Sequence, residues 1–262
     1  SNSKMSNNAE KRDILVTSAL PYATAPLHLG HILEHTQTDI WVRYQRLIGN
    51  NCTYVCADDA HGTPIMLKAE ELNKEPEDLI EEIYANHVNT FNLYNINHDN
   101  FHTTHSEENR TLSERIFNAL NEKGLIEIRM IEQLYDTSRN MFLSDRYVKG
   151  TCPKCYAEDQ YGDNCEVCSA TYDAIELIDP FSVLSNTSPV IKESEHLFFK
   201  LSELKQEIVE WLKNSNIQKP VQNKLSEWLD QDLKDWDISR DSPYFGFEIP
   251  GYKDKFFYVW LD

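Results

Sequence analysis

The sequence predicts an α/β fold in which a parallel sheet is split by an inserted segment. Residues 13–20 (DILVTSAL) form a short, apolar, β-branched run that ends at Pro21, which is typical of a buried parallel strand. Apolar residues from Leu27 to Ile48 keep helical spacing, and residues 53–62 (TYVCADDAHG) begin as a second strand. Two strands that bracket a helix form a βαβ unit, and this unit predicts a parallel sheet.

The rest of the chain predicts that this sheet is interrupted and then resumed. Helical patterns follow over residues 64–97 and 106–123, whereas residues 125–185 carry short alternating strands around a cysteine cluster. Helical periodicity returns over 201–233, and the aromatic run FFYVWLD at 256–262 reads as the start or middle of a buried strand. Because a chain that ends within a buried strand would leave backbone groups unpaired, we expect the sequence to be the N-terminal part of a longer polypeptide.

Composition and charge exclude several classes of protein. The 262 residues carry a net charge of −18, which argues against broad, non-specific binding to nucleic acid, because such binding needs many Lys and Arg side chains facing phosphates. No apolar run approaches the roughly 18 residues of a membrane helix, and the N-terminus lacks the basic and apolar regions of a signal peptide. Residues 1–11 resemble a tag followed by a disordered tail. We therefore expect a cytoplasmic protein that does not associate with membranes.

The cysteines predict one structural metal site. Four of the six form two C-x-x-C pairs with nine residues between them, and such pairs supply four thiolates in the tetrahedral arrangement that suits Zn²⁺. Four thiolates leave no open position, so we expect a single structural zinc; disulfides or unrelated thiols are the alternatives. Cys52 and Cys56 are interpreted as small buried apolar residues. The predicted zinc ligands are Cys152, Cys155, Cys165 and Cys168.

Two histidines at the start of the predicted helix indicate an anion site. His28 and His31 follow the first strand and are neighbours on a helix surface, so both rings can reach one anion beside the unpaired N–H groups of the helix N-terminus. Gly30 between them would let a flat ligand approach the backbone. Two histidines at this spacing are often structural, but their position after a parallel strand favours ligand binding. The phosphates of a nucleotide would suit such a site.

Several motifs, in order along the chain, identify a family resemblance. The stretch HLGH at residues 28–31 resembles the "HIGH" signature of class I aminoacyl-tRNA synthetases. The surrounding segments SALPYATAPLHLGH, CADDAHGTPI, GTCPKC with YGDNCEVC, WDISRDSPYFGFEIP and FYVWLD resemble the methionyl-tRNA synthetases of the bacterial type. The resemblance spans about residues 12–262.

The resemblance implies a fold, a domain order and a reaction. It implies a Rossmann-like parallel sheet whose first half covers residues 12–122 and whose second half begins in 236–262, split by a connective-peptide insertion over 123–235 with its zinc knuckle at 152–168. The implied reaction activates methionine with ATP and Mg²⁺ to methionyl-adenylate and then transfers the methionyl group to tRNA(Met). No covalent enzyme intermediate is needed, so catalysis would rest on positioning and charge stabilisation.

The resemblance also implies which residues face the nucleotide. His28 and His31 would contact the ATP phosphates in the transition state, and Gly30 would lie under the adenine or ribose. Glu34 is a further candidate on the nucleotide side. Arg240, in WDISRD, would lie near the reacting carboxylate and phosphate, where its bidentate fork is useful. The alternative for Arg240 is a surface salt bridge with a neighbouring aspartate.

Four other residues are implied to bind methionine. Asp59 would hold the ammonium group, although a loop aspartate can equally be a turn or cap residue. Leu20, Tyr22 and Trp260 would surround the side chain, because an unbranched thioether packs well against aromatic edges. The alternative for Trp260 is a buried strand aromatic.

The sequence departs from the family in two respects. The family's "KMSKS" loop and its anticodon-binding domain would lie beyond residue 262, so we expect the chain alone to activate methionine poorly. A second cysteine knuckle, present in some members, is missing from residues 176–196, so one zinc is expected. The rival interpretations are a zinc-ribbon binding module and another class I nucleotidyl transferase, such as a cysteinyl or leucyl relative.

Overall fold

The computed structural model describes residues 10–262, so residues 1–9 of the predicted tail lie outside the described residues. The described part of the chain divides into two compact units. The first unit comprises residues 10–111 together with Asp262, and the second comprises Leu112–Leu261. Between residues 10 and 262, no helix has the length and apolar character that crossing a membrane requires.

Helices separate the strands in the first unit, whereas antiparallel strands dominate the second. The helices are α1 (Leu29–Leu47), α2 (Thr63–Glu71), α3 (Pro76–Leu93), α4 (Glu107–Glu122), α5 (Lys205–Lys213) and α6 (Lys219–Leu229). The strands are β1 (Asp13–Thr17), β2 (Asn51–Asp58), β3 (Asn100–Thr103), β4 (Ile126–Asp136), β5 (Met141–Phe142), β6 (Val148–Thr151), β7 (Gln160–Tyr161), β8 (Ile178–Ser182), β9 (Val190–Phe199), β10 (Trp236–Asp237), β11 (Ser239–Asp241) and β12 (Lys255–Phe257). The helices predicted after the second strand and before the final aromatic run are confirmed.

The sheet of the first unit confirms the predicted βαβ arrangement. Strands β1, β2 and β3 are hydrogen-bonded in this order and run parallel, with Ile14 opposite Cys52 and Cys56 opposite Phe101. Helix α1 connects β1 to β2, and helices α2 and α3 connect β2 to β3. The carboxyl ends of the strands therefore lie at one edge of the sheet, which is where α/β folds bind ligands.

A buried cluster holds the helices of this unit on the sheet. It contains Val42 of α1, Cys52 and Tyr54 of β2, Phe91 of α3, and Ile96. Full burial of an apolar side chain of this size contributes about 1.5–3 kcal/mol. The cluster therefore holds α1 and α3 against strand β2. It also confirms the interpretation of Cys52 as a small buried residue.

The buried face of α1 is more polar than its sequence indicated. Of the apolar residues that predicted the helix, Ile32 is buried, but Leu29 and Leu47 are 80% and 85% exposed. Hydrogen bonds favour the observed face, because Asp39 accepts one from the Arg43 Nε–H at 2.6 Å. The other buried residues of the helix are His35, Val42 and Gln45. The other exposed apolar residues are Leu33, Ile40, Trp41 and Tyr44.

The second unit is built on a long antiparallel pair. Strands β4 and β9 pair from Ile126 opposite Phe199 to Tyr135 opposite Val190, in a sheet of order β10-β9-β4-β5. A second sheet has the order β7-β6-β8, and Cys152 directly follows its strand β6. One buried cluster of the unit contains Phe117, Leu197, Ile238, Phe247, Ile249 and Phe257.

The final aromatic run forms less strand than its sequence predicted. Of FFYVWLD, only Phe256 and Phe257 belong to a strand, β12, which pairs antiparallel with β11. Beyond them the chain turns, and the Leu261 N–H donates to the Tyr258 carbonyl at 2.8 Å. Strand-forming composition cannot extend a strand beyond its partner, and β11 spans only Ser239–Asp241.

Candidate active site and metal centre

The candidate active site begins where β1 and β2 end. Tyr22 and Asp59 form a parallel bridge beyond the two strands. The Asp59 N–H donates to the Pro21 carbonyl and the Ala23 N–H donates to the Asp59 carbonyl, both at 2.9 Å. Leu20 precedes this bridge and is 44% exposed. The pairing thus brings together three of the four residues predicted to bind methionine.

His28 and His31 cap helix α1 together. His28 is the N-cap residue with extended backbone (φ −105°, ψ 173°), and His31 lies in the first turn of the helix. Its Nδ1 accepts hydrogen bonds from the N–H groups of Gly30 at 3.1 Å and His31 at 3.4 Å. In return, the His28 N–H donates to Nδ1 of His31 at 3.2 Å. The side chain of His28 therefore occupies two of the N–H groups that were expected to bind an anion, because a helix N-terminus needs acceptors.

These hydrogen bonds determine where each ring carries its proton. A neutral imidazole nitrogen that accepts a hydrogen bond is unprotonated, so the proton of both rings lies on Nε2. The rings stack with centroids 3.6 Å apart. Burial, followed by the charge of His28, lowers the pKa of His31 and favours its neutral form. Two stacked rings that each offer an Nε2–H donor can hydrogen-bond the oxygens of a phosphate.

Gly30 and Glu34 both have a structural role in this cap. A Cβ atom at Gly30 would lie 2.9 Å from Cε1 and 3.0 Å from Nδ1 of His28, so a side chain there would displace the capping ring. Oε1 of Glu34 accepts a hydrogen bond from the Ala19 N–H at 3.0 Å, which ties α1 to the segment that leaves β1. Contact of either residue with a nucleotide stays a prediction.

Asp59 presents a buried carboxylate oxygen. Its Oδ1 is buried and has no hydrogen-bond partner among residues 10–262. Burial, followed by the negative charges of Asp262 and Asp58, raises the pKa of Asp59 to about 7. A buried carboxylate without a partner is unfavourable, and a cation that reaches it relieves this cost. The ammonium group of an amino acid is such a cation.

His87 is a positioning residue that sequence reasoning missed. Its Nδ1 lies 2.6 Å from Oδ1 of Asp58, and its Nε2 lies 2.8 Å from the Ala25 carbonyl oxygen. It therefore links the end of β2 to the loop that precedes His28. Burial opposes protonation of His87, but the hydrogen bond to Asp58 raises its pKa. The partners are 29 residues apart, so no local spacing could reveal the pair.

A second buried histidine, His61, is linked to Tyr22 by a hydrogen bond. Nδ1 of His61 lies 2.6 Å from Oδ2 of Asp262, and both side chains are fully buried. Nε2 of His61 lies 2.9 Å from Nδ1 of His105, and the Tyr22 hydroxyl donates to the His61 carbonyl at 2.7 Å. This network fixes the tyrosine ring. His61 and Asp262 are 201 residues apart, and sequence reasoning missed them too.

The remaining predicted site residues, Arg240 and Trp260, lie in the second unit. Nη1 of Arg240 donates to the Ser239 carbonyl at 2.7 Å and lies 3.6 Å from Oδ1 of Asp237. Its guanidinium carbon lies 3.9 Å from the centre of the Tyr258 ring. The salt bridge of the alternative interpretation is thus present. Trp260 is 75% exposed and is not a buried strand aromatic. Contact of either residue with a substrate stays a prediction.

The four predicted zinc ligands converge on one point. The Sγ atoms of Cys152 and Cys168 lie 3.8 Å apart, and those of Cys155 and Cys165 lie 3.6 Å apart. All four lie within 4.8 Å of one another. A tetrahedral Zn²⁺ with bonds of about 2.3 Å separates its sulfur ligands by about 3.8 Å, so this donor set fits zinc. The thiols are free, which argues against the disulfide alternative.

Backbone groups shape both knuckles. The N–H groups of Lys154 and Cys155 donate to Sγ of Cys152 at 3.3 Å and 3.5 Å. The Cys168 N–H donates to Sγ of Cys165 at 3.4 Å. Such hydrogen bonds stabilise negative charge on sulfur and orient the thiolates toward a shared cation.

Comparison with known proteins shows the fold and the family of the chain. Two solved structures of Mycobacterium tuberculosis methionyl-tRNA synthetase resemble the chain: a crystal structure bound by methionyl-adenylate and a complex with methionyl-adenylate. Each has a TM-score of 0.71 and 20% sequence identity, and each match covers 96% of this chain but 45% of the solved chain. The chain thus spans about half the length of these relatives, and the likeness confirms the predicted fold. Residues 14–262 also match the family described as "tRNA synthetases class I (M)", and the chain belongs to this family.

Proposed function

We propose that this chain carries the methionine- and nucleotide-binding part of a methionyl-tRNA synthetase. Its substrates would be methionine, ATP with Mg²⁺, and tRNA(Met), and its location would be the cytoplasm. The observation that carries the proposal is the buried, unpartnered Oδ1 of Asp59 beside Tyr22, at the sheet edge from which the His28–His31 cap also starts. Family membership supports ATP-dependent aminoacylation in general.

Methionine would bind through its ammonium group and its thioether. The ammonium group would pair with Asp59, whose burial makes an ion pair stronger than it would be in water. Leu20 and Tyr22 would contact the side chain from one segment, and Trp260 would complete the wall. Sulfur packs favourably near aromatic edges, which favours an unbranched thioether over a branched aliphatic chain.

The nucleotide would bind at the start of α1. A methionine carboxylate oxygen would attack the α-phosphorus of ATP, and pyrophosphate would leave with the electron pair of the broken P–O bond. The Nε2–H groups of His28 and His31 would donate to the phosphate oxygens on which negative charge grows. Gly30 would lie under the adenine or ribose, Glu34 would support the nucleotide side, and Arg240 would stabilise the reacting groups.

Zinc would have a structural role outside this chemistry. Residues 123–235 would form the connective-peptide insertion between the two halves of the catalytic domain, 12–122 and 236–262. Cys152, Cys155, Cys165 and Cys168 would hold one Zn²⁺, which would supply folding energy to the knuckle rather than a reactive centre.

Calorimetric titration with three aminoacyl sulfamoyl-adenosines tests the proposal. These non-reactive mimics of aminoacyl-adenylate differ only in carrying methionine, leucine or cysteine. We expect the methionyl compound to bind about 100-fold more tightly than the other two. A preference for leucine or cysteine would assign the chain to another class I enzyme, and binding of none would favour the zinc-ribbon alternative.

Asp59→Asn supplies the matched variant. Loss of the charge pair should weaken the methionyl compound about 10–100-fold, and adenosine sulfamate, which has no ammonium group, should bind unchanged. Equal weakening of both ligands would show that Asp59 does not contact the ammonium group.

A further inference from the structure

A second cluster of potential metal ligands lies in the first unit. His35 of α1, Cys56 of β2 and His98, between α3 and β3, each offer one ligand atom, and these atoms lie within 4.8 Å of one another. His35 is fully buried, Cys56 is 7% exposed and His98 is partly buried. Three separate elements contribute the ligands, so no sequence motif reveals the cluster.

Hydrogen bonding prepares His35 to bind a cation. Nε2 of His35 lies 3.1 Å from the Ala19 carbonyl oxygen, which can only accept, so the ring proton lies on Nε2. The lone pair on Nδ1 therefore faces Nε2 of His98, 3.1 Å away. Two imidazole ligands of a tetrahedral Zn²⁺, with bonds of about 2.0 Å, lie about 3.3 Å apart. Histidine ligands commonly donate their other N–H to a carbonyl in this way.

Oxygen donors stand beside the cluster. The Tyr54 hydroxyl lies 3.2 Å from Nδ1 of His35, and the Ser18 hydroxyl lies 3.3 Å from the same nitrogen. The two hydroxyls lie 2.7 Å apart. Either can complete a coordination shell of two nitrogens and one sulfur. The same groups form a hydrogen-bonded chain when no cation is bound.

The protonation states are compatible with metal binding. Burial, followed by the charge of His35, lowers the pKa of His98 to about 4, so this ring is neutral at neutral pH. Burial also lowers the pKa of His35. Burial raises the pKa of Cys56, so its thiol must lose a proton before it can act as a thiolate ligand.

We propose that His35, Cys56 and His98 bind a divalent cation of the zinc type at a site separate from the four-cysteine centre. A Zn–S bond forms as the Cys56 thiol releases its proton to solvent. The proton of His98 moves from Nε2 to Nδ1, and the two rings donate lone pairs from Nδ1 of His35 and Nε2 of His98. Two imidazoles and a thiolate favour Zn²⁺ or Co²⁺ over Mg²⁺ or Ca²⁺. Bound metal would connect α1, β2 and the loop before β3, so the chain would hold two metal ions where its sequence predicted one.

Equilibrium dialysis of the whole chain against Zn²⁺, followed by elemental analysis, tests this site. We expect two zinc ions per chain in the parent, and one in each of Cys56→Ser, His98→Asn and Cys155→Ser. Cys52→Ser is the matched control, because its thiol lies on the same strand in the apolar core and should leave both ions in place. Circular dichroism checks that each variant is folded, and the partly exposed His98 provides a variant that tolerates substitution if Cys56→Ser unfolds.

Co²⁺ substitution gives a second readout that is independent of enzymatic activity. The thiolate-to-cobalt absorption of the second equivalent should disappear in Cys56→Ser and persist in Cys52→Ser. The proposal is overturned if the parent binds one zinc ion that Cys155→Ser removes, or if folded Cys56→Ser and His98→Asn both keep two.

Discussion

The segment formed by residues 28–35 has histidines at both of its ends, and they make opposite hydrogen bonds. At the N-terminus of α1, Nδ1 of His28 and Nδ1 of His31 accept hydrogen bonds from backbone N–H groups, and Nε2–H of each ring remains a donor. Four residues further along, the buried His35 donates Nε2–H to the Ala19 carbonyl and keeps Nδ1 as an acceptor. The surroundings of each ring, rather than its spacing along the helix, therefore decide which of its nitrogens carries the proton.

The largest expected difference between the two ends is in stability. His35→Ala removes a fully buried ring and takes the Nε2–H donor away from the Ala19 carbonyl, so unfolding free energy should fall by about 2–4 kcal/mol. His31→Ala, at the exposed end, should cost about 1 kcal/mol or less. Urea denaturation measures both. Equal losses would contradict the contrast between the fully buried His35 and the half-buried His31.

A second contrast is between Asp59, whose buried Oδ1 has no hydrogen-bond partner among the described residues, and Asp58, whose Oδ1 contacts His87. The raised pKa of Asp59, about 7, means that the folded state holds this proton more tightly than the unfolded state, so stability falls as pH rises from about 4 to about 7. Asp59→Asn should therefore raise stability by about 1–3 kcal/mol at pH 8 and have little effect below pH 4. Asp58→Asn should lower stability, because it removes the carboxylate that contacts His87. Thermal unfolding at several pH values checks both, and a destabilised Asp59→Asn at pH 8 would be inconsistent with an unpartnered oxygen.

Gly30 tests whether the capping geometry of the exposed end is needed. Gly30→Ala should displace the His28 ring, lower stability by about 1 kcal/mol and weaken methionyl sulfamoyl-adenosine about tenfold. In a His28→Ala background the same change should cost nothing, because no ring remains to be displaced and alanine favours a helix. Additive losses in this double-mutant cycle would separate Gly30 from His28.

The smallest effect on stability is expected for His28→Asn, which tests whether His28 binds the nucleotide or only caps α1. Asparagine caps helices well, so His28→Asn should change stability by less than about 0.5 kcal/mol, whereas His28→Ala should cost about 1 kcal/mol. Both variants lack the Nε2–H donor and should bind the sulfamoyl-adenosine equally weakly. If His28→Asn keeps parental affinity in calorimetry, the ring serves only as a cap.

Features encoded locally could be predicted from the sequence. The four cysteines lie within 17 consecutive residues, and their spacing alone indicated the knuckles that the structure brings together. Alternation of strand and helix patterns predicted the parallel sheet. The family motifs added the expected positions of His28, Asp59 and Tyr22, of which the last two form a bridge.

Features that depend on distant partners could not be predicted. Strand β3 has four residues, NFHT, and is defined by its pairing with β2 rather than by its composition. The pairs His87–Asp58 and His61–Asp262 join different elements. The spacing of apolar residues identified α1 but not its buried face. Polar residues of the helix are buried because they find hydrogen-bond partners inside the protein, whereas its leucines are exposed.

A crystal of the chain soaked with methionyl sulfamoyl-adenosine would show whether His28, His31 and Asp59 contact the ligand. We expect the sulfamoyl oxygens to lie within hydrogen-bond distance of Nε2 of His28 or His31 and the ammonium group to lie beside Oδ1 of Asp59. A compound bound away from both histidines, or bound with its ammonium group far from Asp59, would contradict the proposed methionine and nucleotide sites.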